Sequence, residues 1–192
     1  MEPNFCGLGV LELSGENMNI IEELIPLGRA NRPGSKNTCE YITVHETANV
    51  KKGANAKNHA KYLKTVKGQT SWHYTVDDKE IYRHLPDDEK SYHTSDKFAN
   101  ESSIAVEICV NEDGDFEKAC NLASELIRAL RREHGIPVSK IRRHYDWTGK
   151  DCPENLRKRG WEKFVEKCGD EASGRVISVD ELKSMGYSHI AL

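Results

Sequence analysis

No run of about 18 apolar residues occurs in this chain, so no segment of it can span a bilayer as a helix. Dense positive charge is missing as well. The one basic run, Arg157 to Arg159, is short, and 28 basic against 31 acidic residues give a formal net charge of -3. Phosphate neutralisation needs clustered Lys and Arg, so a dedicated nucleic-acid binder is excluded. The opening residues, MEPNFCGLGVLELSGENMN, have neither a positive n-region nor an apolar stretch of signal-peptide length, and export by the usual secretory route is not expected. The six cysteines (Cys6, Cys39, Cys109, Cys120, Cys152, Cys168) contain no CxxC pair, and 192 residues can build a full core without staples. They are read as free thiols. Internal repeats and low-complexity tracts are absent, and 37% hydrophobic with 31% charged residues argues against wholesale disorder.

What the chain does contain is an alternation of strand and helix patterns. Residues 1–38 hold one apolar patch, Ile20 to Leu27, followed by GRANRPGSKNT, whose Gly, Pro and Asn density predicts an irregular lead-in. EYITVHE reads as a strand, and Asn55 to Val66 then carries Ala56, Ala60, Leu63 and Val66 at helical spacing. SWHYTVDD reads as a second strand with IYRHL as its hairpin partner. SSIAVEICV is the clearest strand, with Ile104, Val106, Ile108 and Val110 on one face and Ser103, Ala105, Glu107 and Cys109 on the other. From Asp115 to His134, the residues Ala119, Leu122, Ala123, Leu126, Ile127 and Leu130 form one helical stripe that Gly135 and Pro137 stop. A short strand, SKIRRH, leads into the loop YDWTGKDCP, and Glu154 to Lys167 predicts a last helix. The expected fold is a single α/β domain over residues 39–168, a mixed central β-sheet flanked by α-helices, with residues 169–192 as linker and short tail.

Four side chains stand out chemically. His45 ends a strand, Glu107 lies on the polar side of an inner strand, and His144 and Cys152 flank a loop containing Gly149. Burying Glu107 without a partner is costly, which marks it as more than a surface acid unless its face is solvated. His144 and Cys152 can be aimed at one point by the loop, and a soft thiolate with imidazole suits zinc. With His45 as third ligand the site stays open, the arrangement of a catalytic zinc. A closed structural site would need a fourth ligand, for which His73, His84 or His93 could serve.

VHET, SWHYTVDD, SSIAVEICV and HYDWTGKDCP, in this order with helices between, resemble the type 2 N-acetylmuramoyl-L-alanine amidases, zinc enzymes related to peptidoglycan recognition proteins. The likeness covers about Tyr41 to Cys168 and is nearest to catalytic domains of endolysins from phages of Gram-positive spore-formers. It implies the peptidoglycan-recognition fold and hydrolysis of the amide between the lactyl group of N-acetylmuramic acid and L-alanine. By matching motif, His45, His144 and Cys152 are the zinc ligands, Glu107 the general acid and base, and Lys150 the oxyanion stabiliser. Trp72, Tyr74 and His93 are read as substrate-contacting, the partner being cell-wall peptidoglycan. An endolysin accumulates in the cytoplasm and reaches the wall through a holin or by lysis.

The sequence departs from some relatives, which carry Tyr where this chain has Trp72. An indole has no hydroxyl, so Glu107 is left with the proton work and Trp72 is expected to pack against sugar or peptide. Strand parity would put Trp72 and Tyr74 on one face and His73 on the other. Two other readings remain open at this level: a cysteine peptidase or amidase with Cys152 as nucleophile and His144 as base, and a peptidoglycan-binding module without catalysis.

Overall fold

The computed structural model describes residues 12–13 and 16–169. Glu12–Leu13 (β1) and Glu16–Asn17 (β2) pair in a small antiparallel ladder. Ile20–Glu22 (β3), Tyr41–Glu46 (β4), Tyr74–Val76 (β5), Ile81–Arg83 (β6), Ser103–Ile108 (β7) and Ile141–Arg143 (β8) form a six-stranded mixed sheet in the order β3-β6-β5-β7-β4-β8. Strands β5, β7, β4 and β8 run parallel, β6 is antiparallel to β5, and β3 is parallel to β6. The helices are Ala56–Thr65 (α1), Lys97–Ser102 (α2), Phe116–His134 (α3), His144–Thr148 (α4), Glu154–Arg159 (α5) and Trp161–Lys167 (α6).

The alternation along β4 and β7 decides how the sheet is covered. Ile42, Val44, Ile104, Val106 and Ile108 are fully buried against Ala123, Leu126, Ile127 and Leu130 of α3, as the sequence pattern implies. The other face of β7 carries Ser103, Ala105 and Glu107, and α1 packs on that side through Leu63 beside Trp72 and Ala105. Each buried Val or Ile contributes roughly 1.5–3 kcal/mol, so a one-residue slip of β7 would expose three of them. Register on this pair is therefore firmly set. Local signals match: the Asp115 carboxylate accepts from the N–H groups of Glu117 and Lys118 at the start of α3, and Gly135 ends it in the left-handed conformation.

Three expectations need correction. The stretch before residue 39 is not simply irregular, because Ile20–Glu22 forms an edge of the main sheet with Ile20 and Ile25 fully buried. HYDWT is a short helix rather than loop, held by the Asp146 carboxylate accepting from both the backbone N–H and the guanidinium of Arg143 at its start. The last helix is broken at Gly160, whose φ of 133° no ordinary side chain adopts comfortably. Cys39, Cys109, Cys120, Cys152 and Cys168 are free thiols, while Cys6 and the tail from residue 170 lie outside the described residues.

A buried polar thread runs beneath α1. Trp72 Nε1 donates to Thr75 Oγ1 at 2.7 Å, and that oxygen lies 2.8 Å from His84 Nε2. Burial above all pushes the fully enclosed His84 down to about 3, and His73 is lowered for the same reason. A histidine ordinarily titrates near 6.5 in an unfolded chain, so between pH 6.5 and about 3 the unfolded state binds protons that the folded state refuses. The stability this gives is complete above 6.5 and is lost as pH falls. Denaturant melts should therefore show the protein about 2 kcal/mol less stable at pH 5 than at pH 7 from one such histidine. His84→Gln should flatten that slope, and a wild-type stability independent of pH would refute the argument.

Candidate active site

His45 and Glu107 are register partners on the parallel pair β4 and β7, near the carboxyl ends of both strands, where open α/β sheets build their sites. The register that buries the isoleucines thus turns both polar side chains to the opposite face. His45 Nδ1 lies 3.9 Å from Glu107 Oε1. His144 opens α4 directly after the edge strand β8, and its Nδ1 stands 3.1 Å from His45 Nδ1. Past α4, Gly149 takes a left-handed turn at φ 76° and the chain doubles back, with Tyr145 N–H donating to the Cys152 carbonyl at 3.0 Å. This brings Cys152 Sγ to 3.8 Å from His45 Nδ1.

Glu46, next to His45 but on the other face, anchors that loop from behind. Its carboxylate accepts from the backbone N–H groups of Asn155 and Leu156 at 3.0 and 2.9 Å and from Asn155 Nδ2 at 2.8 Å, satisfying the start of α5. Sequence reasoning passed over this residue. The signal was there, since an acid at the end of an apolar strand raises the same burial question as Glu107.

The donor atoms of His45, His144 and Cys152 all lie within 4.8 Å of one another. These side chains can hold a metal ion. Tetrahedral zinc with bonds of roughly 2.0–2.3 Å sets nitrogen donors about 3.3 Å apart and sulfur about 3.6 Å from nitrogen, close to the 3.1 and 3.8 Å that separate His45 from His144 and from Cys152. Burial holds His45 well below its ordinary value and His144 at about 4, so both are neutral imidazoles with lone pairs to give. Burial, with Glu107 nearby, pushes the Cys152 thiol up to about 12, so a thiolate forms there only against a cation. The same fact weighs against Cys152 as a free nucleophile. Glu107 is driven up to about 8 by burial, opposed by Lys150, and its Oε2 is a buried oxygen with no protein partner. An orphaned acceptor beside converging donors marks a place for a ligand or water.

Two clefts flank this point. One, about 330 Å³, is lined by Glu107, Trp72, Tyr62, His59, Asn49 and Thr70 among others. The second, about 710 Å³ and more open, includes Lys150, His144, His93, Thr148, Tyr92 and Thr70. Trp72 thus borders the first cleft, with its ring stacked on Tyr62 at 6.5 Å. Tyr74 does not reach either cleft. It is fully buried on the α3 side and its hydroxyl donates to Asp87 at 2.6 Å, which corrects its reading as a substrate contact. The parity expectation fails for a definite reason: β5 begins only at Tyr74, and the His73 ring nitrogen, instead of a carbonyl, accepts from Ala105 N–H. The chain bends there, so Trp72 and Tyr74 face opposite sides. His93 also lines the larger cleft, while both of its ring nitrogens are engaged inside the protein, one with His45 and the other with Ser103 and Ala99.

A family model described as N-acetylmuramoyl-L-alanine amidase matches residues 35–155. The chain belongs to that amidase family. It is 47% identical over 151 residues to the N-acetylmuramoyl-L-alanine amidase CwlH of Bacillus subtilis, covering 77% of this chain and 60% of CwlH. It is 48% identical over 158 residues to the N-acetylmuramoyl-L-alanine amidase XlyA of the same organism, covering 81% of this chain and 53% of XlyA. The chain therefore spans little more than half the length of these relatives. Among solved structures, the catalytic domain of XlyA superposes with a TM-score of 0.77 at 48% identity, covering 79% of this chain and all of that domain. The structure of PlyL matches at a TM-score of 0.71 and 30% identity, over 80% of this chain and 97% of the other. No helix of the described residues in this amidase-family chain is long and apolar enough to cross a membrane.

Proposed function

We propose that this chain is a zinc-dependent peptidoglycan amidase unit that hydrolyses the bond between N-acetylmuramic acid and L-alanine. The observation that carries the proposal is the convergence of His45, His144 and Cys152 beside a half-buried Glu107 whose enclosed second oxygen lacks a partner. His45 and His144 would hold the metal through Nδ1 and Cys152 through Sγ. Zinc, once bound, supplies Lewis-acid polarisation of the scissile carbonyl and lowers the pKa of a water in its open position. Glu107, beside the metal-binding side chains, takes the proton from the attacking water and delivers it to the departing amide nitrogen. Lys150, exposed at the rim of the larger cleft, offers its ammonium group to the oxyanion. Trp72 and Tyr62 give the smaller cleft an aromatic wall for sugar or peptide.

The catalytic unit in this proposal runs from residue 39 to 168 and takes β3 as an added edge, with the lead-in and the residues from 169 flanking it. A lytic role is supported by likeness to a solved structure described as a mutant endolysin from Bacillus subtilis, at 48% identity and a TM-score of 0.77. Accumulation in the cytoplasm and release to the wall at lysis belong to that role. Digested peptidoglycan should show new L-alanine amino termini and no new reducing sugar ends. Glycosidases need two carboxylates across the scissile bond, and Glu107 is the one acid among the described residues lining the two clefts. New reducing ends, or amino termini on residues other than L-alanine, would contradict the proposal.

A further inference from the structure

His45 turns one ring nitrogen, Nδ1, toward His144 and Cys152, while its other, Nε2, lies 2.9 Å from Nδ1 of His93. Two imidazole nitrogens at that distance share one proton, and the ring that carries it decides whether His45 can ligate. Were it on His93 Nδ1, a neutral His45 would accept at Nε2 and carry its own proton on Nδ1, the atom needed for the metal. The far side of His93 sets the direction. Its Nε2 lies 3.3 Å from the carbonyl oxygen of Ala99 and 3.1 Å from Oγ of Ser103. A carbonyl only accepts, and the Ser103 hydroxyl donates its own proton to that same carbonyl at 2.7 Å. Ser103 in turn accepts from Thr43 Oγ1 at 2.9 Å, and Thr43 accepts from Trp147 Nε1 at 3.0 Å. An indole N–H can only donate, so it directs the Thr43 proton onward to Ser103. Both groups facing His93 Nε2 therefore require an N–H there, which leaves Nδ1 as the lone pair that receives His45 Nε2–H.

We propose that His93 is a positioning residue that holds His45 in the Nε2–H tautomer and so presents its Nδ1 lone pair to the metal. The chain through Ala99, Ser103, Thr43 and Trp147 fixes the direction of every bond behind it. The inference rests on the metal reading above and adds to it the device that prepares one ligand before any ion arrives. Its acceptor is a neutral imidazole, in place of the carboxylate, carbonyl or water that commonly backs a metal-binding histidine. It orients the ring without adding negative charge to the site.

Two measurements test this on the full chain. In chelator-treated protein, proton–nitrogen correlation spectra of the histidine rings should show His45 protonated at Nε2 and not at Nδ1. His93→Asn keeps an acceptor oxygen near the position of Nδ1, whereas His93→Leu has nearly the same shape without one. Zinc affinity, read by competition with a chromophoric chelator, should fall by at least about 10-fold in His93→Leu and stay near wild type in His93→Asn. Equal losses in both variants, an undiminished affinity in His93→Leu, or a His45 proton on Nδ1 in the metal-free chain would overturn the proposal. Failure of the wild type itself to take up zinc would contradict the metal reading instead, and the tautomer seen in the spectra would still decide whether His93 sets it.

Discussion

Glu107→Ala is expected to lose wall hydrolysis by roughly 100-fold or more while keeping its metal and its fold, the usual size of a general acid and base contribution. The side chain is half-buried on β7 and its enclosed oxygen has no protein partner, so removing it takes away a desolvation cost rather than a supporting bond. Thermal stability should consequently hold or rise. Turbidity loss of purified walls, metal content and a melting curve on the same preparation check the three parts together. Hydrolysis at near the wild-type rate would make Glu107 a bystander and shift the proton work to another group in the clefts.

Cys152 gives the second large effect, and the choice of replacement separates its two possible roles. Cys152→Ala should lose both metal and activity, because two neutral imidazoles remain and the negative ligand is gone. Cys152→Asp returns an anionic oxygen ligand that zinc accepts. It should recover a measurable share of metal binding and hydrolysis relative to Cys152→Ala. A nucleophilic cysteine would show the reverse, with metal content indifferent to the substitution and Cys152→Asp as inactive as Cys152→Ala.

Much of this site was legible before the structure because it sits on regular elements. Ile104, Val106 and Ile108 alternate so cleanly with Ala105 and Glu107 that the face of Glu107 followed from parity, and α3 was readable from its stripe and its caps. His144 and Cys152 were legible through motif and turn chemistry, with Gly149 at the reversal. What resisted reading depends on contacts distant in sequence. At the bend at His73 a ring nitrogen takes the place of a strand carbonyl opposite Ala105, and no local pattern announces that exchange. His93 lines the larger cleft, but its engagement with His45, 48 residues away in sequence, has no local signal either. Tyr74 carried an aromatic signal suited to substrate, yet its partner Asp87 lies on the core side of the sheet.

The metal content of the purified protein is the most direct test of the site. Expression in zinc-supplemented medium followed by elemental analysis should give close to one zinc per chain, since two imidazoles and a buried thiol converge here at distances that a cation satisfies. Hydrolysis should vanish on treatment with a strong chelator and return with added zinc. Less than about a tenth of an equivalent, together with activity that a chelator leaves unchanged, would contradict a metal centre at His45, His144 and Cys152.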